Sequence, residues 1–492
     1  MLTEKDKLYL ESFSIEETGV LMQIELFEKN SSFMKIKCPV TPEKGMVVIN
    51  EIDEYADIYD NRSPDFNIQK FVPASGAATR MFKRLISFYN NPGSYDINNG
   101  DFYSVKTTFE EIDNFAFFDK LKRINIDIND RKVLSEAILY SVLGYANIPK
   151  GLIDFHRYEN YVRTAFEEHI IEAISLSNSY KIVKIHFTIS KEHENLFKNE
   201  LNILRNKLKS DIDIDFSFQE KYTDTIAIYD DGKLVRDDDG NILLRPGGHG
   251  SLLHNLNKLD SDFIFIKNID NVVHESYLED TIKYKKFLGG ILIKTIDKIK
   301  EIYNILIEPN CCKNKVTEVI TYLNEEIGGS FSVEATVDEL MNFINRPIRV
   351  CGMVKNTGEP GGGPFWVKGC DGMESLQIVE KAQIDLLDPE QNKEFNKSTH
   401  FNPVDMVCYI RNPKGEKFDL NKYVDKNASF ISEKTHNGKA IRVLEHPGLW
   451  NGAMSDWLTI FVEVPLFTFN PVKELNDLLR KEHQPGYKYD LS

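Results

Sequence analysis

The chain has 492 residues, of which 41% are hydrophobic and 28% are charged. This composition is typical of globular proteins, and the length allows two to four domains or one large catalytic domain with insertions. The formal charge of −16 argues against general binding to nucleic acids or to anionic membranes, because both require a basic face. An anionic substrate remains compatible, since a local basic pocket can lie within an acidic surface.

The N-terminal sequence MLTEKDKLYLES is charged and lacks the apolar stretch of a signal peptide. No apolar run is long enough to span a bilayer. The six cysteines form neither a CxxC pair nor a metal-ligand spacing. We therefore expect a reduced, cytoplasmic protein without structural zinc and without membrane association.

Residues 1–65 predict a helix-rich N-terminal region. Near residue 71 the pattern changes to strands that alternate with helices, which favours an α/β fold. Helical periodicity at about 82–147 predicts an insertion after the first strand, and a second helical stretch is predicted at about 277–326. We expect one catalytic domain over 66–480, followed by a C-terminal tail at 481–492.

Three predicted strands define where a site would lie. Residues 71–72 and 180–189 read as strands, and Ser190 is predicted to cap the helix that follows. Residues 263–269 read as a buried strand that ends at Asp270. The expected sheet is mixed but mainly parallel and flanked by helices, with its ligand site at the carboxyl ends of the strands.

Residues 71–80, FVPASGAATR, form a candidate phosphate-binding loop. Small residues let backbone N–H groups close around an anion, and a helix expected to begin near Thr79 would add its positive dipole end. Arg80 supplies a planar fork of donors that suits phosphate. On its own, the segment also fits an ordinary connection between a strand and a helix.

Three further segments have both a functional and an ordinary interpretation. Lys150 lies on a Pro-Lys-Gly turn and could hold a phosphate or be a surface lysine. The glycine-dense loop 245–251 surrounds His249 and could accept a planar base or a sugar, or could simply lead into a helix. Lys473 precedes a predicted helix and could equally be a solvated charge.

Asp270 is a candidate metal ligand. A carboxylate at the carboxyl end of a central strand suits a Mg²⁺ ion that bridges phosphates, although Asp is also common as a cap at strand ends. At such a position we expect the side chain to face solvent, so that its loss would cost little packing.

In chain order, these segments resemble motifs of the eukaryotic-type UDP-sugar pyrophosphorylases, which are nucleotidyltransferases of the Rossmann-like GT-A (nucleotide-diphospho-sugar transferase) fold. The matching segments are the nucleotide loop at 73–80, the PKG turn at 149–151, the strand end at 186–190 with His193, the run from Gln219 through Asp231-Gly232-Lys233 to the base loop at 246–250, the strand end at 266–271, and the PVK…DLL element at 471–479. The matches are collinear over roughly residues 70–480. The resemblance suggests a bacterial domain-of-unknown-function branch of this superfamily.

The resemblance implies a Mg²⁺-dependent enzyme that joins a nucleoside triphosphate, UTP being favoured, to a sugar 1-phosphate. It implies catalytic roles for Arg80, Lys150 and Lys473, with both lysines facing one phosphate site. The implied nucleotide-binding residues are Pro73, Ala74, Ser75, Gly76, Ala77, Ala78, Thr79, Gln219, Gly247, Gly248, His249 and Gly250. Asp270 would bind Mg²⁺, with Asn402 as a further candidate ligand.

The chain also departs from these motifs. Ala78 stands where the family has a second loop glycine, the insertion after Arg80 is long, and residues 359–366 replace a sugar-contacting strand. An alternative is therefore a non-catalytic protein that binds a nucleotide or nucleotide-sugar on the same fold. A GT-A glycosyltransferase ranks third, because its DxD metal motif should end a strand, whereas Asp237 to Asp239 lie in a polar turn. The base, the sugar and the oligomeric state are left open.

Overall fold

A computed structural model describes residues 2–28, 33–94, 100–124, 126–177, 182–208, 211–308, 312–358, 361–369, 372–401 and 405–486. The chain folds into two compact units, each assembled from three separate pieces. Unit 1 contains Met1–Arg62, Gln219–Ile264 and Leu288–Pro465, and unit 2 contains Ser63–Phe218, Phe265–Phe287 and Leu466–Ser492.

The α-helices of the described residues are α1 (Glu4–Glu11), α2 (Glu17–Glu28), α3 (Ile52–Arg62), α4 (Lys83–Asn90), α5 (Gly100–Glu110), α6 (Phe118–Lys122), α7 (Arg131–Glu136), α8 (Ala165–Leu176), α9 (Glu194–Arg205), α10 (Leu253–Lys258), α11 (Leu278–Leu306), α12 (Lys313–Glu326), α13 (Val337–Ile344) and α14 (Pro389–Phe395). A π-helical turn, Ala137–Ser141, follows α7 directly. None of the described helices has the length and apolar character needed to cross a membrane.

The strands are β1 (Ile36–Pro39), β2 (Met46–Val47), β3 (Ile68–Pro73), β4 (Asp154–Arg157), β5 (Val162–Thr164), β6 (Val183–Thr188), β7 (Ile212–Ser217), β8 (Thr225–Ile228), β9 (Leu244–Arg245), β10 (Phe263–Ile266), β11 (Ile348–Met353), β12 (Gly363–Lys368), β13 (Glu374–Val379), β14 (Asp405–Tyr409), β15 (Phe430–His436), β16 (Lys439–Glu445) and β17 (Leu458–Glu463). The boundary between the two units falls within β10.

The described residues of unit 1 contribute to three sheets. In the first, β2, β17 and β11 are parallel neighbours, and β14 pairs with β11 in the antiparallel direction. The second has the order β1-β12-β13, and the third has the order β15-β16-β8-β9. Helices α1 and α2 bury Leu10, Val20 and Phe27 in one apolar cluster with Ile226 and Leu444 of the third sheet.

In unit 2 the strands β3, β6 and β7 are parallel neighbours. Strands β3 and β6 are buried at most positions, as expected for strands of a parallel sheet covered on both faces, whereas β7 buries only Ile214. The core joins Val72, Ile185 and Phe187 of these strands to Phe82 of the loop before α4 and Phe197 of α9. The mainly parallel α/β class predicted from the sequence is thereby confirmed.

Two local predictions at strand ends were wrong in detail. Strand β10 ends at Ile266 rather than at residue 269, although Ile269 N–H still donates to the carbonyl of Pro73 (3.3 Å). Ser190 does not cap the following helix, because its hydroxyl donates instead to the carbonyl of Ser75 (3.1 Å). This hydrogen bond ties the end of β6 to the loop after β3.

A buried histidine cluster anchors the last described segment of unit 2. His156 of β4 lies 2.8 Å from Glu168 through Nδ1 and 2.8 Å from His483 through Nε2. The backbone N–H of His274 donates to the carbonyl of Glu482 (2.8 Å). Burial lowers the pKa of both His156 and His483 well below the ordinary value, and it raises the pKa of Glu168 to about 7.

The cluster predicts a specific acid sensitivity. Burial lowers the pKa of His483 and so disfavours its protonation in the folded chain, whereas in the unfolded chain it binds a proton below about pH 6.5. Stability from this residue is therefore present above pH 6.5 and is lost as the pH falls. Between pH 6.5 and 5, the stability advantage of the wild type over His483→Gln should therefore shrink.

Urea unfolding of both proteins at the two pH values measures this difference. Glu168 contributes with the opposite sign, since its raised pKa stabilises the protonated form at low pH and this stability is lost as the pH rises through about 7. That contribution is common to both proteins and cancels in the comparison. An advantage of the same size at pH 5 and pH 6.5 would contradict the prediction.

Candidate active site

The loop after β3 is open on one side and anchored on the other. Ser75, Gly76 and Ala77 are exposed, and within the described part of the chain their backbone N–H groups have no hydrogen-bond partner. Three successive small residues with unpaired N–H groups can approach an anion closely. The other side is fixed by Ala74 N–H, which donates to the carbonyl of Thr188 (2.8 Å).

Ala78, the residue that departs from the family's glycine, faces away from this open side. Its methyl group is fully buried and belongs to the core of unit 2. The substitution therefore adds packing to the core without filling the space beside Gly76, where a Cβ atom would meet no atom within 4 Å.

The helix expected near Thr79 begins later than predicted. Residues Ala78–Arg80 form a single 3₁₀ turn, and α4 starts at Lys83. The N-terminus of a regular helix therefore does not lie directly after the loop. Thr79 and Arg80 are both exposed on the turn that intervenes.

Lys150 and Lys473 meet on one carboxylate. The Nζ atom of Lys150 lies 3.1 Å from Oδ2 of Asp270, and the Nζ atom of Lys473 lies 3.0 Å from the same oxygen. Lys150 also donates to the carbonyl of Val472 (2.6 Å). The three charged groups come from positions 120 and 203 residues apart in the chain, so only the tertiary fold brings them together.

Backbone pairing fixes the three segments that supply these side chains. Lys150 N–H donates to the carbonyl of Gly76 (3.2 Å), which links the PKG turn to the open loop. Val472 N–H donates to the carbonyl of Asp270 (3.0 Å), and Asn271 forms a β-bridge with Pro471. The charged cluster and the small-residue loop are thus parts of one hydrogen-bonded framework within unit 2.

Asp477 holds the backbone of Lys473 in place. Its Oδ2 accepts hydrogen bonds from the N–H groups of Lys473 (2.7 Å) and Glu474 (2.8 Å). Asp477 was not predicted to be a site residue. The signal that could have identified it is a carboxylate four residues after a functional lysine, a spacing that suits capping of the turn between them.

The charges of the cluster shift each other's pKa values. Burial alone would raise the pKa of Asp270, but Lys473 and Lys150 outweigh it and hold that pKa below its ordinary value. Burial lowers the pKa of Lys150, Asp270 opposes this shift, and the positive charges of Lys473 and Arg80 add to it. The charge of Arg80 therefore acts on Lys150 as well.

Asp270 does not face solvent, contrary to the expectation from its position at a strand end. The residue is only 7% exposed, because the lysines and the Pro471–Lys473 backbone cover it. Its Oδ1 atom is buried and has no hydrogen-bond partner in the described part of the chain. Its loss should therefore cost more stability than the sequence alone suggested.

The unpaired Oδ1 fits the chemistry of a Mg²⁺ ligand. Mg²⁺ sites on nucleotide enzymes use one or two carboxylates and leave the remaining positions to phosphates and water. No cluster of three or more His, Cys, Asp or Glu side chains suited to a metal occurs among the described residues. Asn402, the other candidate ligand, lies outside the described residues.

The glycine-dense loop belongs to unit 1, where its glycines are packed against the chain around His446. A Cβ atom on Gly250 would lie 2.0 Å from the carbonyl oxygen of Pro447, and one on Gly247 would lie 2.4 Å from the ring of His446. Gly248 has a φ of +81°, which favours glycine. Close approach of neighbouring atoms within unit 1 therefore explains Gly247 and Gly250, and the positive φ explains Gly248.

His249 and Gln219 are likewise engaged within unit 1. Nδ1 of His249 accepts a hydrogen bond from Leu449 N–H (3.0 Å), and the His249 and Trp450 rings have centroids 4.6 Å apart. Burial lowers the pKa of His249 to about 4. The amide of Gln219 donates to Thr223 Oγ1 and Asp224 Oδ1, both at 3.3 Å. Base binding by these residues stays a prediction.

Two glycine substitutions should show that packing requires a glycine at position 250 but not at position 76. Gly250→Ala places a Cβ against backbone and is expected to destabilise the protein by about 3 kcal/mol or more, as overpacked positions do. Gly76→Ala meets open space and should change stability by less than about 0.5 kcal/mol. Urea unfolding measures both values, and equal losses for the two variants would contradict this assignment.

The curated proteins gave no match. Among solved structures, the chain is similar to UDP-N-acetylglucosamine pyrophosphorylase from Trypanosoma brucei in complex with an inhibitor, with 12% identity, 98% of this chain and 78% of that chain covered, and a TM-score of 0.48. It is also similar to a mutant UDP-glucose pyrophosphorylase from Leishmania major in complex with UDP-glucose, with 13% identity, coverage of 97% and 79%, and a TM-score of 0.43.

One family model matches nearly the whole sequence. The family model described as Domain of unknown function (DUF4301) matches residues 3–484. This span includes both units and every candidate site residue named above. The chain therefore belongs to the DUF4301 family.

Proposed function

We propose that the protein is a nucleotidyltransferase that joins a nucleoside triphosphate, with UTP favoured, to a sugar 1-phosphate and releases pyrophosphate. The observation that carries this proposal is the meeting of Lys150 and Lys473 on Asp270, in the same framework as the exposed loop Ser75–Ala77. The resemblance of the collinear motifs to those of UDP-sugar pyrophosphorylases supports this reaction class.

In this reaction an oxygen of the sugar 1-phosphate attacks the α-phosphorus of the triphosphate. A new P–O bond forms, and the bond between the α-phosphorus and the bridging oxygen breaks, so that pyrophosphate leaves with the electron pair. The protein has to align the two phosphates and offset negative charge on the transferring and leaving oxygens.

Different residues of unit 2 would bind the phosphates and offset their charge. The unpaired N–H groups of Ser75, Gly76 and Ala77 would bind phosphate oxygens, and Arg80 would stabilise the leaving pyrophosphate. Lys150, held by the carbonyl of Val472, would stay close to the reacting centre. Lys473 is 57% exposed and is free to turn toward the incoming sugar phosphate.

Asp270 would keep the two lysines in place until substrate arrives. Without substrate its carboxylate balances both ammonium groups, which would otherwise repel each other at close range. Oδ1 of Asp270 would hold Mg²⁺. When bound, the ion would neutralise phosphate charge as a Lewis acid.

A coupled assay tests the proposal directly. Pyrophosphate release is measured for each of the four nucleoside triphosphates against a panel of sugar 1-phosphates with Mg²⁺. Turnover with at least one pair, and its loss in Lys473→Met, is expected. The matched control is Lys198→Met, which removes an exposed lysine paired with Glu194 on α9 and should leave turnover unchanged.

The alternative is a protein that binds a nucleotide or nucleotide-sugar without turnover. Calorimetric titration with UTP and with UDP-glucose distinguishes the two. Binding that Lys473→Met weakens, combined with no pyrophosphate release for any pair, would favour the alternative. Absence of both binding and turnover would reject the site.

A further inference from the structure

Arg349 is the feature of unit 1 that the proposed function leaves unused. It lies on β11 between Thr459 of β17 and Cys408 of β14, and its side chain is fully buried. Nε donates to Thr459 Oγ1 (2.8 Å) and Nη1 donates to the carbonyl of Trp450 (2.7 Å). Nη2 is buried and has no hydrogen-bond partner among the described residues.

No carboxylate among the described residues pairs with this guanidinium. Burial lowers the pKa of Arg349, and the thiols of Cys351 and Cys408 oppose this shift. Arginine nevertheless keeps its charge inside proteins. A buried charge is normally paired, because the attraction to a counter-ion has to offset the loss of hydration.

The other buried lysines and arginines of the described residues follow that rule. In unit 2, Lys70 and Lys267 pair with Glu172 at 2.5 and 2.8 Å, and Lys150 pairs with Asp270. Arg349 departs from it within the described residues. Its counter-charge is therefore expected from a ligand.

Further unpaired polar atoms lie on the segment that accepts the Arg349 hydrogen bonds. Both amide atoms of Asn451, Oγ of Ser455 and Nε1 of Trp457 are buried and lack a hydrogen-bond partner in the part of the chain that the structure describes. Gln377 of β13 donates through Nε2 to the carbonyl of Ser455 (2.7 Å), and its Oε1 is also unpaired. Native proteins leave few buried polar groups unsatisfied, so several of them on the 450–459 segment that accepts the Arg349 hydrogen bonds favour a bound molecule there.

These groups define the chemistry of the molecule. Nη2 of Arg349, Nε1 of Trp457 and the amide of Asn451 offer donors, one of them charged, and suit an anionic head with several oxygens. Oε1 of Gln377 and Oδ1 of Asn451 are acceptors and suit hydroxyl groups. We propose that unit 1 binds a hydroxyl-rich organic anion, a sugar that carries a carboxylate or a phosphate, with Arg349 as its charge partner.

This proposal concerns unit 1 alone and does not rest on the nucleotidyltransferase reaction. The segment beside Arg349 also packs on the glycine loop, since His446 N–H donates to the carbonyl of Gly247 (2.9 Å). A ligand at Arg349 would thus stabilise the 446–457 segment and the loop together. Binding should be visible as a higher midpoint of thermal unfolding.

The test compares sodium glucuronate, glucose 6-phosphate and neutral glucose at equal ionic strength on the wild-type protein. The midpoint should rise with at least one of the two anions and not with glucose, and the anion that acts identifies the head group. Calorimetry on Arg349→Met, which keeps the length of the side chain without its charge, should show affinity at least about thirtyfold weaker.

A second variant supplies the counter-charge from the chain itself. Thr459→Asp places a carboxylate next to Nε of Arg349, so it should raise the midpoint without ligand and abolish the response to the anion. This variant keeps the test decisive if Arg349→Met does not fold. Leu340→Ala, a buried change on α13, is the control for destabilisation and should keep the full response.

Three results would overturn the proposal. The first is equal stabilisation of the wild type by glucose and by both anions, or by none of them. The second is an unchanged anion response in Arg349→Met. The third is an unchanged anion response in Thr459→Asp. Any of these would mean that Arg349 is held by its two hydrogen bonds alone.

Discussion

Replacing Lys150 with methionine is expected to lower kcat by about two to three orders of magnitude, because one preorganised charge at a phosphate site typically contributes that much. The same change should cost only about 1–2 kcal/mol of stability. Asp270 keeps Lys473 as a partner, and what is lost is one ion pair and the donor to the carbonyl of Val472. The large effect on rate and the small effect on folding distinguish a catalytic lysine from a structural one.

Kinetics with the best substrate pair and urea unfolding measure the two quantities. Lys198→Met is again the matched control, since it removes a lysine that pairs with a carboxylate on the surface of the same unit. Both proteins should unfold with similar denaturant slopes. A kcat for Lys150→Met within a factor of about three of the wild type would remove Lys150 from the mechanism.

Asp270→Asn is expected to affect both folding and turnover. The change leaves two ammonium groups near each other without a carboxylate, and breaking a buried ion pair in this way costs about 3–5 kcal/mol. We expect about 2–3 kcal/mol here, because the side chain of Lys473 is 57% exposed and can turn to water. Turnover should fall at least about a hundredfold and should not be restored by saturating Mg²⁺.

The pH dependence of the stability loss gives a second check. The lysines hold the pKa of Asp270 below its ordinary value, so its contribution is present above about pH 4 and is lost as the pH falls through the lowered pKa. The gap between wild type and variant should therefore be full at pH 7 and shrink in acid. Asp297→Asn, at an exposed pair with Arg62, serves as the control. Equal activity of wild type and Asp270→Asn over a Mg²⁺ titration would refute the metal role.

The strands and helices could be predicted largely because their signals are local. The apolar alternation at 180–189 and the run at 263–269 correspond to β6 and β10, and helices occupy the described parts of 82–147 and 277–326. The end of β10 was misplaced because Lys267 continues the strand's hydrogen bonding to Phe71 without regular strand geometry. The assembly of each unit from three distant pieces has no local signature.

The site could be predicted as a set of residues but not as a geometry. The motifs selected Lys150, Lys473 and Asp270, and the structure brings these three together. The burial of Asp270 could not be foreseen, because its partners lie 120 and 203 residues away. Arg349 was missed for a different reason. A single arginine in an apolar strand looks like an ordinary polar position until the absence of a carboxylate beside it is known from the tertiary structure.

The discontinuity of unit 2 has a consequence for biosynthesis. Its last piece, which follows residue 465, supplies Val472, Leu475 and Leu478 to the core as well as Lys473 to the charged cluster. These residues leave the ribosome after the two earlier pieces of the unit, which contain the core residues and Asp270 that they contact. The nascent unit therefore exposes an unfilled apolar surface for most of translation, and its folding should depend on chaperones far more than its final stability would suggest.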